Sequence, residues 1–420
     1  MKILLSSYSF GTGRGSEAGV GWNVAAGLAR RGHDVTVLTT TEFSTQNHTA
    51  IAVEQLGLRL WEWDEGLSDF PRRGTYNRWQ KRIGRRLREA VTGEHFDIFH
   101  HITFNQYRGI RDVFHADLPY LIGPVGGAEI VPVEFMNGRC LPWGRLWKEV
   151  LRNLLRGDAL PLIRRCNARS NRGLTLASNA PTANRLNHNF PWRLKRPATI
   201  CPIIAIAESE INDCVPERAD PPYFLFDGGL RPEKGLISAL SALSLLWEKG
   251  KRIPLRLPGI RPEQRAALAI MVGQCGLPGE AVEPLAFMPR EDMLAQMRGA
   301  AAFVSTSFRD SGCMALLESV SLGVPSICFD IPSQQWLPDA FADKIPIPSL
   351  QDDAARFFTS YRIGTVITRL AESLERAVET VPRPDDWHHH RCDWLRRTMT
   401  WDVRLDQIEN FYRQVSLTKS

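Results

Sequence analysis

The sequence contains no long hydrophobic run, because no uninterrupted apolar stretch approaches the roughly 20 residues that a membrane-spanning helix needs. The first residues, MKILLSSYSFGTGRG, have one lysine and a short apolar run that turns glycine-rich. That pattern is typical of a first β-strand and not of a secretory signal. These features favour a cytoplasmic protein.

Paired metal ligands are also scarce. The eight cysteines include no C-x-x-C pair, so the sequence indicates neither a zinc site nor a disulfide framework, and we expect reduced thiols. Three histidines at 388–390 precede Cys392, but consecutive side chains diverge around a helix axis. We therefore predict no metal site.

The net charge of the chain is modest, but the basic residues are unevenly distributed along the sequence. The chain has 420 residues, 43% hydrophobic and 23% charged, which suits a globular protein of two domains, and its net charge is +6. Residues 72–88 hold eight Lys/Arg and no acid, and residues 145–172 hold eight more against two acids. These amphipathic segments indicate solvated helix surface, or contact with an anionic membrane face or a phosphorylated acceptor. Nucleic acid is not expected as a partner, since no binding motif accompanies the charge.

Strand and helix patterns alternate along the chain and restart once. KILLSSY, DVTVLTT, FDIFHHITF and PYLIGPVGG are predicted strands of a parallel sheet, and YFLFDGG begins a second series after residue 222. We predict a Rossmann-like domain over 1–205, a linker over 206–222, a second Rossmann-like domain over 223–385 and a helical tail over 386–420 that packs across both.

Open parallel sheets bind ligands outside the carboxyl ends of their strands, so two such sites are expected to face each other across a cleft. In the second half, GGLRPEKG follows a predicted strand and supplies Arg231 and Lys234. A guanidinium fork, a point charge and backbone N–H groups suit a diphosphate. GTGRGS, residues 11–16, predicts a similar cradle in the first half.

Two carboxylates stand in the stretch FRDSGCMALLESVSLGVPSICFD, residues 308–330. Asp310 lies in a polar loop and Glu318 on a predicted helix, roughly 8 to 12 Å apart, too far to share a proton. They suit two parts of an elongated, hydroxyl-rich ligand. The helix N-terminus would favour a leaving phosphate through the amides of Gly312, Cys313 and Met314.

In this order, the glycine-rich first loop, FDIFHH, GPVGG, LRPEKG and DSGCMALLESVSLGVPSI resemble the retaining nucleotide-sugar glycosyltransferases of family four, glycosyl transferases group 1. The resemblance spans nearly the whole chain and implies the GT-B fold, in which two Rossmann-like domains face across a cleft and a C-terminal helix crosses back. It also implies a hexosyltransferase that needs neither cofactor nor metal.

The resemblance implies a role for each matching residue. Gly15 would face the donor diphosphate and Lys234 would bind its phosphates, while the turn at 285–290 would border the nucleobase. Asp310 would contact the transferred sugar and Glu318 the ribose hydroxyls.

The chain departs from the family pattern at three places. Asp310 stands where the family usually has Glu, and Gly229 stands where it has Arg, so that Arg231 would substitute. His100 and His101 are adjacent, whereas the family spaces its two histidines by two residues. Only one of them can enter the cleft because strand side chains alternate, and His101 is preferred.

The basic segments of the first domain, which also carry Trp and Leu, suggest as a hypothesis an acceptor at the inner face of the membrane: a glycan or polyprenyl-diphosphate-linked oligosaccharide of polysaccharide, exopolysaccharide or surface-glycan synthesis. One alternative is an NAD(P)-dependent oxidoreductase, because GRGSEA at 13–18 fits G-x-G-x-x-A and Glu42 could approach a ribose. Another is a catalytically silent GT-B subunit, motivated by Gly229 and Asp310. An epimerase of the same fold also remains open.

Overall fold

The computed structural model describes residues 1–12, 15–40, 47–63, 73–103, 106–131, 135, 157–188, 191–226, 228–347, 363–379 and 384–417. The chain forms two compact units. The first comprises Met1–Ala128, Leu155–Ala205 and Met399–Ser420, and the second comprises Glu129–Leu154 and Ile206–Thr398.

The first unit is built on a seven-stranded parallel sheet. Its strands are β1 (Lys2–Ser7), β2 (Asp34–Thr39), β3 (Arg59–Glu62), β4 (Ile98–Thr103), β5 (Tyr120–Val125), β6 (Gly173–Ala177) and β7 (Thr199–Ile200). Its helices are α1 (Gly15–Arg30), α2 (Asn47–Gln55), α3 (Arg73–Gly93), α4 (Leu160–Ala168) and α5 (Ala180–Asn187). The strand order is β3-β2-β1-β4-β5-β6-β7. The central strands are buried along their whole length, as expected for a sheet covered on both faces.

The second unit has a six-stranded parallel sheet of the same winding. Its strands are β8 (Phe224–Phe226), β9 (Leu255–Leu257), β10 (Val282–Pro284), β11 (Ala302–Ser305), β12 (Ser326–Asp330) and β13 (Asp343–Pro346). Its helices are α6 (Leu236–Glu248), α7 (Arg265–Gln274), α8 (Arg290–Gly299), α9 (Met314–Ser321), α10 (Ile363–Glu379) and α11 (Asp385–Thr398). The order β10-β9-β8-β11-β12-β13 reverses between β8 and β11. Two Rossmann-like parallel sheets, as predicted from the sequence, are thus confirmed.

The last helix, α12 (Trp401–Ser416), belongs to the first unit, whereas α11 belongs to the second. Met399 and Thr400 separate the two helices. The Thr400 side chain accepts a hydrogen bond from the N–H of Val403 (3.4 Å), which caps α12. Within the first unit, Arg31, the residue after the end of α1, pairs with Asp406 (2.6 Å) and Glu409 (3.0 Å) of α12. The last helix is therefore held to the first sheet unit by charge as well as by apolar packing.

Helix α3 carries most of the first basic segment. Tyr76, Trp79, Ile83 and Leu87 recur at helical spacing and are buried in the core of the first unit. The opposite face is exposed and carries Arg78, Lys81, Arg82, Arg85, Arg86 and Arg88 beside Glu89. The apolar face of this helix is therefore engaged in the fold, and its outer face is almost wholly cationic. Residues 145–156 of the second basic segment lie outside the described residues.

Candidate functional site

The switch point of the second sheet lies between β8 and β11, and the loops that leave these strands are joined there. Gly235 follows the β8 loop with a φ of +70°. A Cβ at this position would lie 2.1 Å from the carbonyl oxygen of Thr306, which follows β11. The Thr306 hydroxyl donates to the carbonyl oxygen of Gly235 (2.9 Å). Only glycine permits this approach, so the two loops form one surface at the sheet edge.

This surface holds an ion pair between two of the predicted site residues. Lys234 Nζ lies 2.6 Å from Asp310 Oδ2, and both side chains are mostly buried. Burial disfavours the ammonium charge, but the carboxylate of Asp310 outweighs that effect and raises the pKa of Lys234. The N–H of Gly312 donates to Asp310 Oδ1 (3.2 Å). A permanent cation is thus fixed beside a carboxylate in front of a helix.

That helix is α9, and its first residues are those predicted from the sequence. Cys313 occupies the N-cap position and Met314 is the first helical residue. The Cys313 thiol is buried, and burial raises its pKa to about 12, so the group is neutral at physiological pH. The unsatisfied N–H groups of the first turn carry the positive end of the helix dipole. The turn can therefore receive an anionic ligand next to Lys234.

Glu318 lies one turn further along α9. Its carboxylate forms an ion pair with an arginine that the sequence analysis did not single out. Arg290, the first residue of α8, donates from Nε and a terminal nitrogen to Glu318 Oε1 at 2.9 and 2.7 Å. Its other terminal nitrogen donates to Glu210 Oε1 (2.6 Å). Burial lowers the pKa of Arg290, but the two carboxylates outweigh it and raise that pKa. The predicted ribose ligand is thus part of a three-residue charge cluster.

A second residue that sequence reasoning missed is Glu129, which the GPVGG motif precedes. Glu129 is 4% exposed and groups with the second unit. Its Oε1 accepts from the hydroxyl of Ser311 (3.4 Å), and its carbonyl oxygen accepts from Arg309 Nε (3.3 Å). A buried carboxylate thus supports the loop that carries Asp310.

The remaining predicted donor residues stand on the β8 loop or in the first unit. Arg231 is exposed on the β8 loop, and its positive charge opposes that of Lys234. Gly229 adopts a φ of +56° with open space where a Cβ would stand. Gly15 begins α1 in the first unit. Residues 13–14 of the glycine-rich loop, and Glu42 of the oxidoreductase alternative, lie outside the described residues.

His101 lies in strand β4 of the first unit, and its side chain is fully buried in a polar network. Its Nδ1 lies 2.8 Å from Asp112 Oδ2, and its Nε2 lies 3.2 Å from the hydroxyl of Tyr76. Because a carboxylate only accepts, we assign the proton to Nδ1, so that Nε2 accepts from Tyr76. Burial raises the pKa of Asp112, but His101 outweighs it and the net pKa is lowered. The predicted role of His101 toward a sugar stays a prediction.

His100 points the other way from the same strand, as alternation requires. Its Nε2 donates to the carbonyl oxygen of Gly123 (2.6 Å), and its Nδ1 lies 2.7 Å from the hydroxyl of Tyr412 in α12. Burial lowers the pKa of His100 to about 4, so the ring is neutral at physiological pH. His100 therefore fastens the last helix to the first sheet.

The described residues contain neither a metal-ligand cluster nor a helix that could span a membrane. Among the described residues, no group of three or more His, Cys, Asp or Glu side chains is arranged to hold a metal ion. The expectation that no metal is required stays a prediction. Within the described ranges, no helix combines the length and apolar character that crossing a bilayer requires.

Residues 208–339, which include Arg290, Lys234, Asp310 and Glu318, match the family model of glycosyl transferases group 1. The second unit therefore contains a segment that is similar to this family. The family predicted from the sequence is thereby confirmed, and the predicted enzyme class agrees with it. Over 122 residues the chain is 32% identical to the O-antigen chain mannosyltransferase B of Escherichia coli, a match that spans 29% of this chain and 31% of that protein.

Solved structures of glycosyltransferases share the fold over nearly the whole chain. Sucrose-phosphate synthase from Thermosynechococcus elongatus aligns over 100% of both chains with a TM-score of 0.67 at 13% identity. WaaG, a glycosyltransferase of lipopolysaccharide biosynthesis, aligns over 97% of this chain and 99% of its own with a TM-score of 0.61 at 14% identity. Anabaena HepE in complex with UDP and glucose aligns over 99% and 100% with a TM-score of 0.61 at 11% identity. The predicted GT-B fold is therefore confirmed.

Proposed function

We propose that the protein is a retaining glycosyltransferase that moves a sugar from a nucleoside-diphosphate sugar to a glycan or lipid-linked oligosaccharide. The observation that carries this proposal is the Lys234–Asp310 pair in front of helix α9, within the glycosyl transferases group 1 domain. A fixed cation and free helix N–H groups suit the diphosphate, while carboxylates suit hydroxyl groups of the sugar and ribose.

In the proposed reaction, the acceptor oxygen bonds to the anomeric carbon as the bond to the diphosphate oxygen breaks on the same face. The acceptor proton leaves with the nucleoside diphosphate. Lys234 and the first turn of α9 stabilise the charge that develops on the leaving phosphate. Asp310 orients the transferred sugar and Glu318 the ribose, and His101 positions the sugar or acceptor. No step requires a metal or an organic cofactor.

The acceptor proposal draws on the relatives. One is named for the O-antigen chain and another for lipopolysaccharide biosynthesis, and a third holds UDP and glucose. A surface-glycan or exopolysaccharide acceptor is therefore the class to test first. UDP sugars belong in the donor panel beside GDP and ADP sugars.

We further propose that the exposed cationic face of α3 contacts anionic lipid at the inner face of the cytoplasmic membrane. Because its apolar residues are buried in the core, the contact would be electrostatic and would weaken as salt rises. Charge reversal of Arg82, Arg85 and Arg86 should abolish sedimentation with anionic vesicles at low salt. A matched triple reversal of exposed Arg298, Arg369 and Arg397 in the second unit should leave sedimentation intact. Equal binding by both triples would contradict the proposed face.

The donor proposal is tested by a thermal-shift screen with nucleotide sugars, nucleoside diphosphates and NAD(P). A ligand in excess over its Kd raises stability by about RT ln(1 + [L]/Kd). We expect one nucleoside-diphosphate series to raise the Tm of the wild type and to act less on Glu318→Ala. Stabilisation by NAD(P) alone, with no effect of Glu318→Ala, would favour the oxidoreductase alternative instead.

A further inference from the structure

Arg290 lies between two carboxylates, those of Glu318 and Glu210, and is hydrogen-bonded to both. Arg290 makes three hydrogen bonds to two carboxylates, two of them to Glu318 Oε1 and one to Glu210 Oε1. Glu318 is only 13% exposed, whereas Arg290 is 46% exposed. The arginine is thus the more exposed partner, and its two bonds hold one oxygen of the carboxylate.

Arg290 is itself held at a second point. Glu210 ends the short 3₁₀ turn Glu208–Glu210, near the beginning of the Ile206–Thr398 part of the second unit. Its Oε2 accepts from the N–H of Ala207 (3.1 Å), while its Oε1 accepts from Arg290. A planar guanidinium held by two anchored carboxylates has little rotational freedom. The orientation of Glu318 is therefore set by a chain of contacts that begins in the turn at 208–210.

The chemistry of the cluster points to hydroxyl recognition. The formal charges of the three side chains add up to −1. The cluster therefore suits hydrogen-bond donors such as ribose hydroxyls better than an anionic phosphate. A carboxylate only accepts hydrogen bonds, and both bonds from Arg290 go to Oε1 of Glu318, so a further ligand group for this carboxylate would have to be a donor such as a hydroxyl. A carboxylate whose rotamer is already fixed loses less conformational entropy when a hydroxyl binds to it.

We propose that Arg290 is a positioning residue that orients Glu318 toward the ribose of the donor and thereby sets the preference for a ribonucleotide over a 2′-deoxyribonucleotide. This inference rests on the proposed function. Arg290 does not touch the reacting atoms. Its effect is on which nucleoside the domain accepts.

The test measures the Kd of UDP, GDP and ADP, and of their 2′-deoxy forms, by isothermal titration. For the pair that binds the wild type, we expect the ribo form to bind roughly tenfold or more tighter, the scale of a hydrogen bond to a charged group. In Arg290→Met, this ratio should fall to within about twofold of one, because ribo affinity is lost while 2′-deoxy affinity is kept. Arg290→Lys, which keeps the charge but loses the fork, should fall between.

The controls separate positioning from folding. Arg298→Met, at the exposed end of the same helix, should leave both affinities unchanged. Glu318→Gln should lower the ratio as Arg290→Met does, and the double variant should lose no more than either single variant. An unchanged ratio in Arg290→Met, or an equal loss for the ribo and 2′-deoxy forms, would overturn the inference. If none of the three pairs binds the wild type, the proposed function fails and the inference fails with it.

Discussion

The buried contact between His100 and Tyr412 predicts an acid-sensitive attachment of the last helix. His100 is 0% exposed and neutral, with its Nε2 on the carbonyl oxygen of Gly123 and its Nδ1 at Tyr412. Burial lowers its pKa to about 4, whereas a histidine in the unfolded chain has a pKa of about 6.5. Between these values the unfolded chain binds more protons than the folded one. Stability from this group is therefore fully present above about pH 6.5 and is lost as the pH falls to about 4.

Linkage gives the size of the loss. At pH 5 the unfolded state gains about 2 kcal/mol from protonating this one histidine, while the folded state gains almost nothing. The perturbation is His100→Asn, which removes the titrating ring and keeps an acceptor near Tyr412. Other titrating groups are common to both proteins and cancel in the difference.

The assay is urea unfolding of wild type and His100→Asn at pH 7.5 and pH 5, followed by tryptophan fluorescence. The wild type should exceed the variant in unfolding free energy at pH 7.5, and that excess should shrink by about 2 kcal/mol at pH 5. His188→Asn, an exposed histidine of the same unit, serves as the control for substitution alone. An excess that stays constant between the two pH values would refute the assignment of His100 as a neutral, buried histidine.

Three further substitutions test other parts of the structure. Gly235→Ala should lower the Tm and weaken nucleoside-diphosphate binding in calorimetry, because the added Cβ would stand 2.1 Å from the Thr306 carbonyl oxygen; an unchanged Kd would contradict the joined loops. Asp112→Asn should cost about 3 kcal/mol of unfolding free energy at pH 7, since it breaks a buried pair with His101. The pKa of Asp112 is lower in the folded state than in the unfolded state, where it is about 3.9. The stability that the Asp112 carboxylate contributes is therefore fully present above about pH 4 and is lost as the pH falls through the folded-state pKa. The cost of Asp112→Asn should shrink accordingly below about pH 4. Gln334→Met should raise the unfolding free energy by about 1 kcal/mol or more. The reason is that the amide nitrogen and oxygen of this 0% exposed side chain have no hydrogen-bond partner among the described residues. A loss of stability in Gln334→Met would contradict this reading of the Gln334 amide.

The sheets and the loop that carries Lys234 could be predicted because their signals are local. Buried strands such as residues 98–103 are short runs of branched and aromatic residues, and the turn that contains Lys234 begins with Pro232 and is closed by Gly235. The loop residue Asp310 and the start of α9 followed from the same kind of pattern. These features need only the residues within a few positions of each other.

The partners of the site residues could not be predicted, because they come from distant parts of the chain. Arg290 stands 28 positions before Glu318, and Ser311 stands 182 positions after Glu129. An arginine at the start of a helix has no local mark that separates an ion-pair partner from ordinary surface charge. The burial of the apolar face of α3 likewise depends on tertiary contacts with the rest of the first unit. Its helical spacing could be read from the sequence, but spacing does not decide whether that face meets a core or a membrane.

The central claim is a sugar transfer with retained configuration, and it is tested most directly by following the products. The wild type would be incubated with the nucleotide sugar selected by the thermal-shift screen and with a lipid-linked glycan acceptor, and nucleoside-diphosphate release and the anomeric configuration of the product would be measured, the latter by NMR. We expect release that depends on acceptor, a product with the configuration of the donor, and loss of release in Lys234→Met but not in the exposed control Lys249→Met. An inverted product, or equal release by both lysine variants, would contradict the account.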